Sequence, residues 1–276
     1  MVYSDNFLGA ADALSALDIE KLRSRLPICG MGNTIVYEPA IASTNSLCIE
    51  LSRNYFADGL LVLTDAQPEG RGRQGKSWIT MPRAQILMSL ACRFSANPAA
   101  LVMICASAVC SALMNAGVPA EDIAIKWPND ILVQHKKVAG ILIESSWAQN
   151  TAEMQAIIGI GVNIFGTFAQ WPEIAEKAAT LQEMYQLSFS REDIICAVAA
   201  YIGDYRDRIE AAASVYDTVL QNWKARLHTL GKRVSVQTGR AVIAGVAEDT
   251  AEDGSLLVRT DNNELVSITW GDVQML

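Results

Sequence analysis

Two hydrophobic periods run through this chain. Apolar or alternating stretches at 34–37, Leu60–Thr64, 86–94, 123–127, 131–134, 138–147 and 157–163 read as strands. Helical spacing occupies the intervals. Leu14, Leu17, Leu22 and Leu26 predict a short first helix stopped by Pro27 and Gly30. Ser43, Thr44 and Asn45, all N-cap formers, stand ahead of Leu47 and Leu51 and predict a helix over 44–54. Asn97 is placed to cap a helix over 98–116 that Gly117 ends; apolar nearly all round, it should be central and covered. Further helices are predicted at 173–185, 190–212 and 215–227, the second opening on a capping box from Ser190 to Asp193. From Gly231 the pattern turns to short alternating segments at 232–237, 241–248, 255–260 and 264–270. Thr238-Gly239, Asp253-Gly254 and Asp261-Asn262 supply the turns between them, as in a small SH3-like β-barrel appended to a larger domain.

Composition narrows the class. At 276 residues and 51% hydrophobic content the chain can bury a large core. No apolar run reaches the roughly 20 residues of a membrane span, and the first thirteen residues lack a basic start, so no membrane partner and a cytoplasmic location are expected. Cys29, Cys48, Cys92, Cys105, Cys110 and Cys196 show no paired spacing and read as buried small hydrophobes. His135 and His228 have no second ligand near them in sequence, so no metal site is assigned. The formal charge of −8 argues against a general nucleic-acid surface.

Against that acidic background one stretch is basic. Residues 70–78 read Gly-Arg-Gly-Arg-Gln-Gly-Lys-Ser-Trp, a flexible cationic loop suited to an anion. Gly70, Gly72 and Gly75 fit G-x-G-x-x-G, and Gly70, Gly75, Lys76 and Ser77 fit the P-loop pattern. Both require a helix directly after the loop, and Trp78, Ile79, Thr80 and Pro82 oppose one. A solvated surface loop is the plainer alternative. A second stretch, 126–130, joins Lys126 to the turn residues Pro128, Asn129 and Asp130; Lys126 either pairs with Asp130 or binds an anion. In the third, Gly159 and Gly161 alternate on one strand face, so something flat or a packed helix lies close to the backbone. Asn163, at the strand end, serves either a ligand or a turn.

Ser43–Asn45, Gln67, the 70–78 loop, 126–130, 137–144 and 159–163 occur in an order that resembles biotin protein ligases over about residues 34–270. The resemblance implies an α+β fold: a mixed β-sheet catalytic domain flanked by helices, class II synthetase-like or lipoate ligase-like, plus the C-terminal SH3-like β-barrel. The division expected is a short helical segment at 1–30, a catalytic domain at 31–229 and the barrel at 230–276. The implied reaction consumes biotin and ATP with Mg²⁺, forms biotinyl-5′-AMP and pyrophosphate, and passes biotin to a lysine of a biotin carboxyl carrier protein. By the same resemblance Arg71, Arg73 and Lys126 are catalytic. Ser43, Thr44, Asn45, Gln67, Gly70, Arg71, Lys126, Gly140 and Gly159 are implied to bind biotin. Arg73, Gly75, Trp78, Asn129, Gly161 and Asn163 are implied to bind ATP or the adenylate.

The first thirty residues leave no room for the DNA-binding winged helix of the bifunctional relatives, so no DNA partner is expected; a homodimer stays open. No Lys or Arg follows Arg259, which puts in doubt a basic contact from the barrel to the nucleotide. The competing readings are a lipoate or octanoate ligase, a P-loop NTPase and a non-enzymatic biotin sensor.

Overall fold

The computed structural model describes residues 14–26, 31–53, 56–95, 98–147, 153–212, 214–239 and 241–276. The Pro27 and Gly30 stop, the Asn97 cap and Cys29 lie outside them. Helix α1 (Ile19–Arg25) starts where the Asp18 carboxylate accepts from Lys21 N (2.9 Å). Strand β1 (Thr34–Glu38), helix α2 (Thr44–Leu51), strands β2 (Leu60–Thr64) and β3 (Gln85–Phe94) and helix α3 (Pro98–Asn115) follow. Then come β4 (Ile123–Lys126), β5 (Asp130–Val133), β6 (Lys136–Trp147) and β7 (Met154–Asn163). These strands form one mixed sheet in the order β1-β2-β3-β7-β6-β5-β4, parallel only between β1 and β2.

Two-residue alternation gives the sheet two unlike faces. Ile86, Met88, Leu90, Cys92 and Phe94 of β3 join Ala156, Ile158, Ile160 and Val162 of β7 in the main core. Helix α3 covers that side together with α6 (Arg191–Ala211) and α7 (Ser214–Lys224), and its buried residues run around its whole circumference, as its composition predicts. The other face carries Leu87, Ser89 and Ala91 beside Ile157, Gly159 and Gly161, with Gly140, Leu142 and Glu144 of β6 next in register. Helix α2 covers one half of this face through Cys48, which packs with Ala91 and Ile157. The other half is left to a cavity.

Three local expectations change. The helix predicted at 173–185 is two short ones, α4 (Pro172–Ala175) and α5 (Leu181–Met184). Between them Lys137 N donates to Lys177 O and Ala179 N to Lys137 O, which takes the backbone out of the helix, and a capping box at Thr180 and Glu183 starts the second. Ser43 stands at the N-cap of α2 without a capping hydrogen bond from its side chain. The Asp193 carboxylate, predicted to complete a capping box, instead pairs with Lys21 (2.9 Å) and Arg25 of α1.

The C-terminal unit is a five-stranded antiparallel sheet in the order β11-β10-β9-β8-β12. Its strands are β8 (Arg233–Gln237), β9 (Val242–Thr250), β10 (Leu256–Thr260), β11 (Leu265–Ile268) and β12 (Asp272–Met275). The sequence pattern missed β12, which Gly271 precedes; a Cβ on Gly271 would stand 2.5 Å from Val236 Cγ1. Asp272, the first residue of β12, pairs with Lys76 of the loop at 70–78. Among the described residues no helix is long and apolar enough to cross a membrane.

Candidate active site

The loop at 70–78 is a small hairpin rather than the lead-in to a helix. Gly72 N donates to Lys76 O (2.7 Å) and Trp78 N to Gly70 O (2.8 Å), while Gln74 and Gly75 turn the tip with φ of 55° and 74°. A Cβ on Gly70 would meet Trp78 O at 2.7 Å, so this glycine lets the hairpin close. Without a helix N-terminus behind it, the P-loop geometry is not formed.

The hairpin roofs a cavity of about 170 Å³ whose floor is the small-residue face of β6 and β7. Gly140 and Gly161 stand opposite each other in register, and the Trp78 indole lies on both. A Cβ on Gly161 would be 2.7 Å from Trp78 Cε2, and one on Gly140 would be 3.0 Å from Trp78 Cζ3. Gly159 is covered by Asn45 at the start of α2, 2.9 Å from that hypothetical Cβ to Asn45 Cγ. Both occupants expected for the glycine strand are therefore present: a flat ring at one glycine, a helix-borne side chain at the other.

A hydrogen-bonded row ties the floor to the roof. Gln67 Oε1 accepts from Thr44 N (2.6 Å) and Thr44 Oγ1 (3.0 Å). Ser89 Oγ lies 2.8 Å from Thr44 Oγ1 and donates to Asn45 Oδ1 (2.5 Å). Asn45 Nδ2 donates to Glu144 Oε2 (2.8 Å), which also accepts from Arg71 Nη2 (2.9 Å). The Trp78 Nε1 donor is buried without a partner among the described residues.

Charge gathers on the other side of the cavity. Arg73 Nη1 donates to Asn129 Oδ1 (2.9 Å); burial lowers its pKa, with Asp130 and Asp272 opposing. Lys137 Nζ pairs with Asp130 Oδ1 (2.7 Å) and lies 5.5 Å from the Trp78 ring centroid. Lys76 pairs with Asp272, the residue that the barrel contributes to the wall. Burial pushes the Asp272 carboxyl up, yet the Lys76 hydrogen bond and the charges of Lys76, Lys126 and Arg73 carry it below its ordinary value. Arg71, Arg73, Lys76, Lys126 and Lys137 outnumber Glu144, Asp130 and Asp272 by two, in a chain of net charge −8. Such an excess in a partly desolvated cleft suits a polyanion.

Four residues singled out from sequence stand off the cavity wall: Gly70, Gly75, Lys126 and Asn163. Gly70 serves the hairpin, and Gly75 has open space where a Cβ would be. Asn163 Oδ1 accepts from Gln85 Nε2 (2.8 Å) and fastens the end of β7 to β3. Lys126 faces Asp130 in register, but the Asp130 carboxylate goes to Lys137. Burial lowers the Lys126 pKa, with Asp130 and Asp272 opposing, and among the described residues it makes no ion pair.

Lys137 and Asp272 were missed. The bulge opposite Ile131 and Leu132 places Val138 in the core and returns Lys137 to the face of Gly140, against strict alternation. His135 and His228, far apart in sequence, bring their rings to 5.0 Å. Among the described residues no three His, Cys, Asp or Glu gather as a metal site.

The model of the Biotin/lipoate A/B protein ligase family matches residues 37–163, and that of the Biotin protein ligase C terminal domain matches 229–276. The biotin–[acetyl-CoA-carboxylase] ligase of Paracoccus denitrificans is 31% identical over 224 residues, 79% of this chain and 90% of the relative. The ligase of the same name from Mycobacterium tuberculosis is 28% identical over 93% of this chain and 95% of its own length. In fold the chain is similar to the biotin protein ligase from Aquifex aeolicus in complex with biotin and ATP, with a TM-score of 0.72 at 23% identity, covering 88% of this chain and 99% of that one. The glycine-floored sheet, the small C-terminal β unit and this extent of identity have one reading: the chain belongs to the biotin/lipoate A/B protein ligase family.

Proposed function

We propose that this chain is a biotin protein ligase, which activates biotin with ATP and transfers it to a lysine of a biotin carboxyl carrier domain. The observation that carries the reading is the cavity itself, with a floor flat enough for a fused ring and a cationic roof, in a chain of this family. In the first half-reaction a biotin carboxylate oxygen attacks the α-phosphorus. The bond to the bridging oxygen breaks, and pyrophosphate leaves biotinyl-5′-AMP behind. In the second, the carrier lysine nitrogen attacks the acyl carbon, the bond to the AMP oxygen breaks, and the amine gives up a proton.

Two anions must meet in the first step, so fixed cations are the main requirement. Arg71, hydrogen-bonded into the Asn45 row, is placed for the carboxylate end of the acid. Lys126, to which the resemblance gives the role of the cation shared by carboxylate and α-phosphate, has Lys137 as a second cation beside it at the edge of the floor. Arg73 and Lys76 lie on the nucleotide side, and Mg²⁺ enters with ATP as part of the substrate. A roof hinged on Gly70 and Gly75 also keeps water from a hydrolysable anhydride.

The test is exchange of labelled pyrophosphate into ATP, with biotin, lipoate or no acid. Exchange with biotin alone is expected. Exchange with lipoate alone would move the substrate within the family, and ADP release without acid would revive the P-loop NTPase.

A further inference from the structure

The two histidines of the chain, isolated from each other in sequence, meet where the large sheet joins the barrel. Strand β4 has a neighbour on each side there. On one side, exposed His135 sits in the β5–β6 turn with a left-handed φ of 68°. Gln134 beside it is fastened to Asp122 through both its backbone N (3.0 Å) and its Nε2 (3.0 Å). On the other side, residues 226–228 lead from α7 into the barrel. Ile125 N donates to Arg226 O (2.7 Å), and half-buried His228 donates its backbone N to Ile125 O (2.8 Å). Both backbones are thus pinned to one strand, and the two ring centroids stand 5.0 Å apart with their planes at 46°.

Two imidazoles on one metal ion have a defined spacing. With about 2.0–2.1 Å from metal to nitrogen, about 1.1 Å more to the ring centre and an angle of about 90–110° at the metal, the centroids lie about 4.5–5.2 Å apart. Rotation about χ2 swings the ring nitrogens and leaves the ring centres nearly in place, so both rings can face one ion without a change of backbone. We infer that His135 and His228 form a two-point chelate for a divalent ion that prefers imidazole, of the nickel, copper and zinc class, with water in its remaining positions. Mg²⁺, which takes oxygen ligands, is not held by such a pair. Burial, His135 and Lys232 lower the His228 pKa, which favours the neutral ring that ligates; Lys232 also opposes a cation and keeps the affinity modest. The bound ion ties the β5–β6 turn to the segment that enters the barrel, across the strand that ends in Lys126. It therefore fastens the barrel to the sheet. This inference is independent of the biotin reading.

The experiment titrates Ni²⁺ and, separately, Zn²⁺ by calorimetry into the full chain, free of any histidine tag and stripped with chelator, near neutral pH with Mg²⁺ present. Wild type is compared with His135→Asn, a residue that tolerates the left-handed backbone there, and with His228→Gln. Each variant is expected to bind Ni²⁺ at least about tenfold more weakly than wild type. Amide hydrogen exchange at Ile125 and His228, the two bonds that join β4 to the barrel lead-in, is expected to slow on addition of Ni²⁺ in wild type and not in His135→Asn. Equal Ni²⁺ affinity in wild type and variants, a loss confined to one of the two, displacement of Ni²⁺ by excess Mg²⁺, or exchange at these amides unmoved by bound Ni²⁺ would overturn the inference. Should His228→Gln not fold, His135→Asn, on an exposed turn, decides the matter through affinity and exchange together.

Discussion

The hairpin at 70–78 and the floor of β6 and β7 both bring glycines to one cavity, for opposite physical reasons. In the hairpin Gly75 has φ of 74° and nothing within 4 Å of a built Cβ, so it supplies conformational freedom. In the floor Gly161 lies inside an antiparallel ladder between Leu87 and Gly140, where what counts is the missing side chain. One region turns sharply and carries charge; the other is flat and carries shape. Substitution should therefore hurt the floor through geometry and the hairpin through electrostatics and timing.

The largest effect is expected at the floor's edge. Lys126→Ala and Lys137→Ala should each lower biotin-dependent pyrophosphate exchange by about 10²–10³-fold in a folded protein; a near-normal rate in either would remove that lysine from the first half-reaction. Gly161→Val comes next, with exchange down about 10²-fold in a folded protein, because Trp78 must leave its bed; a near-normal rate would mean the ring is not fixed there. In the hairpin, Arg73→Gly should keep adenylation within about tenfold while labelling lysines outside the carrier domain; labelling confined to the carrier would show that the roof does not retain the intermediate. Gly75→Ala should cost about 1 kcal/mol from its left-handed backbone, a melting shift of about 2 °C, with exchange nearly unchanged.

The smallest expectation concerns pH. The Asp272 carboxyl titrates below its unfolded value, so its contact with Lys76 stabilises the fold above the ordinary carboxylate range, and that contribution is lost as the pH falls through the lowered value. Between about pH 6 and about pH 3 the melting temperature of Asp272→Asn should fall less than that of wild type. Parallel curves would show the contact to be idle.

Much of this was legible in the residues. The seven strands of the sheet, the apolar α3 and the close approach at Gly159 and Gly161 follow from periodicity and from glycine placement. What was not legible depended on backbone irregularity or on distant partners. A one-residue bulge at Val138 returns Lys137 to the cavity wall. Pairing with β8 makes a strand of β12, too short for its own pattern, and so supplies Asp272. The break in the helix predicted at 173–185 is made by Lys137, some forty residues upstream.

Trp78 turns the floor into an optical gauge. Its ring covers Gly140 and Gly161 and stands beside the ammonium of Lys137, with an indole N–H that has no acceptor among the described residues. A ligand seated in the cavity comes against this ring and changes its surroundings. Its emission should then shift in colour and intensity in step with occupancy, and the difference between wild type and Trp78→Phe isolates that signal from the five other tryptophans. The enzyme thus carries its own stopped-flow probe, sited on the wall of the cavity that the substrate enters.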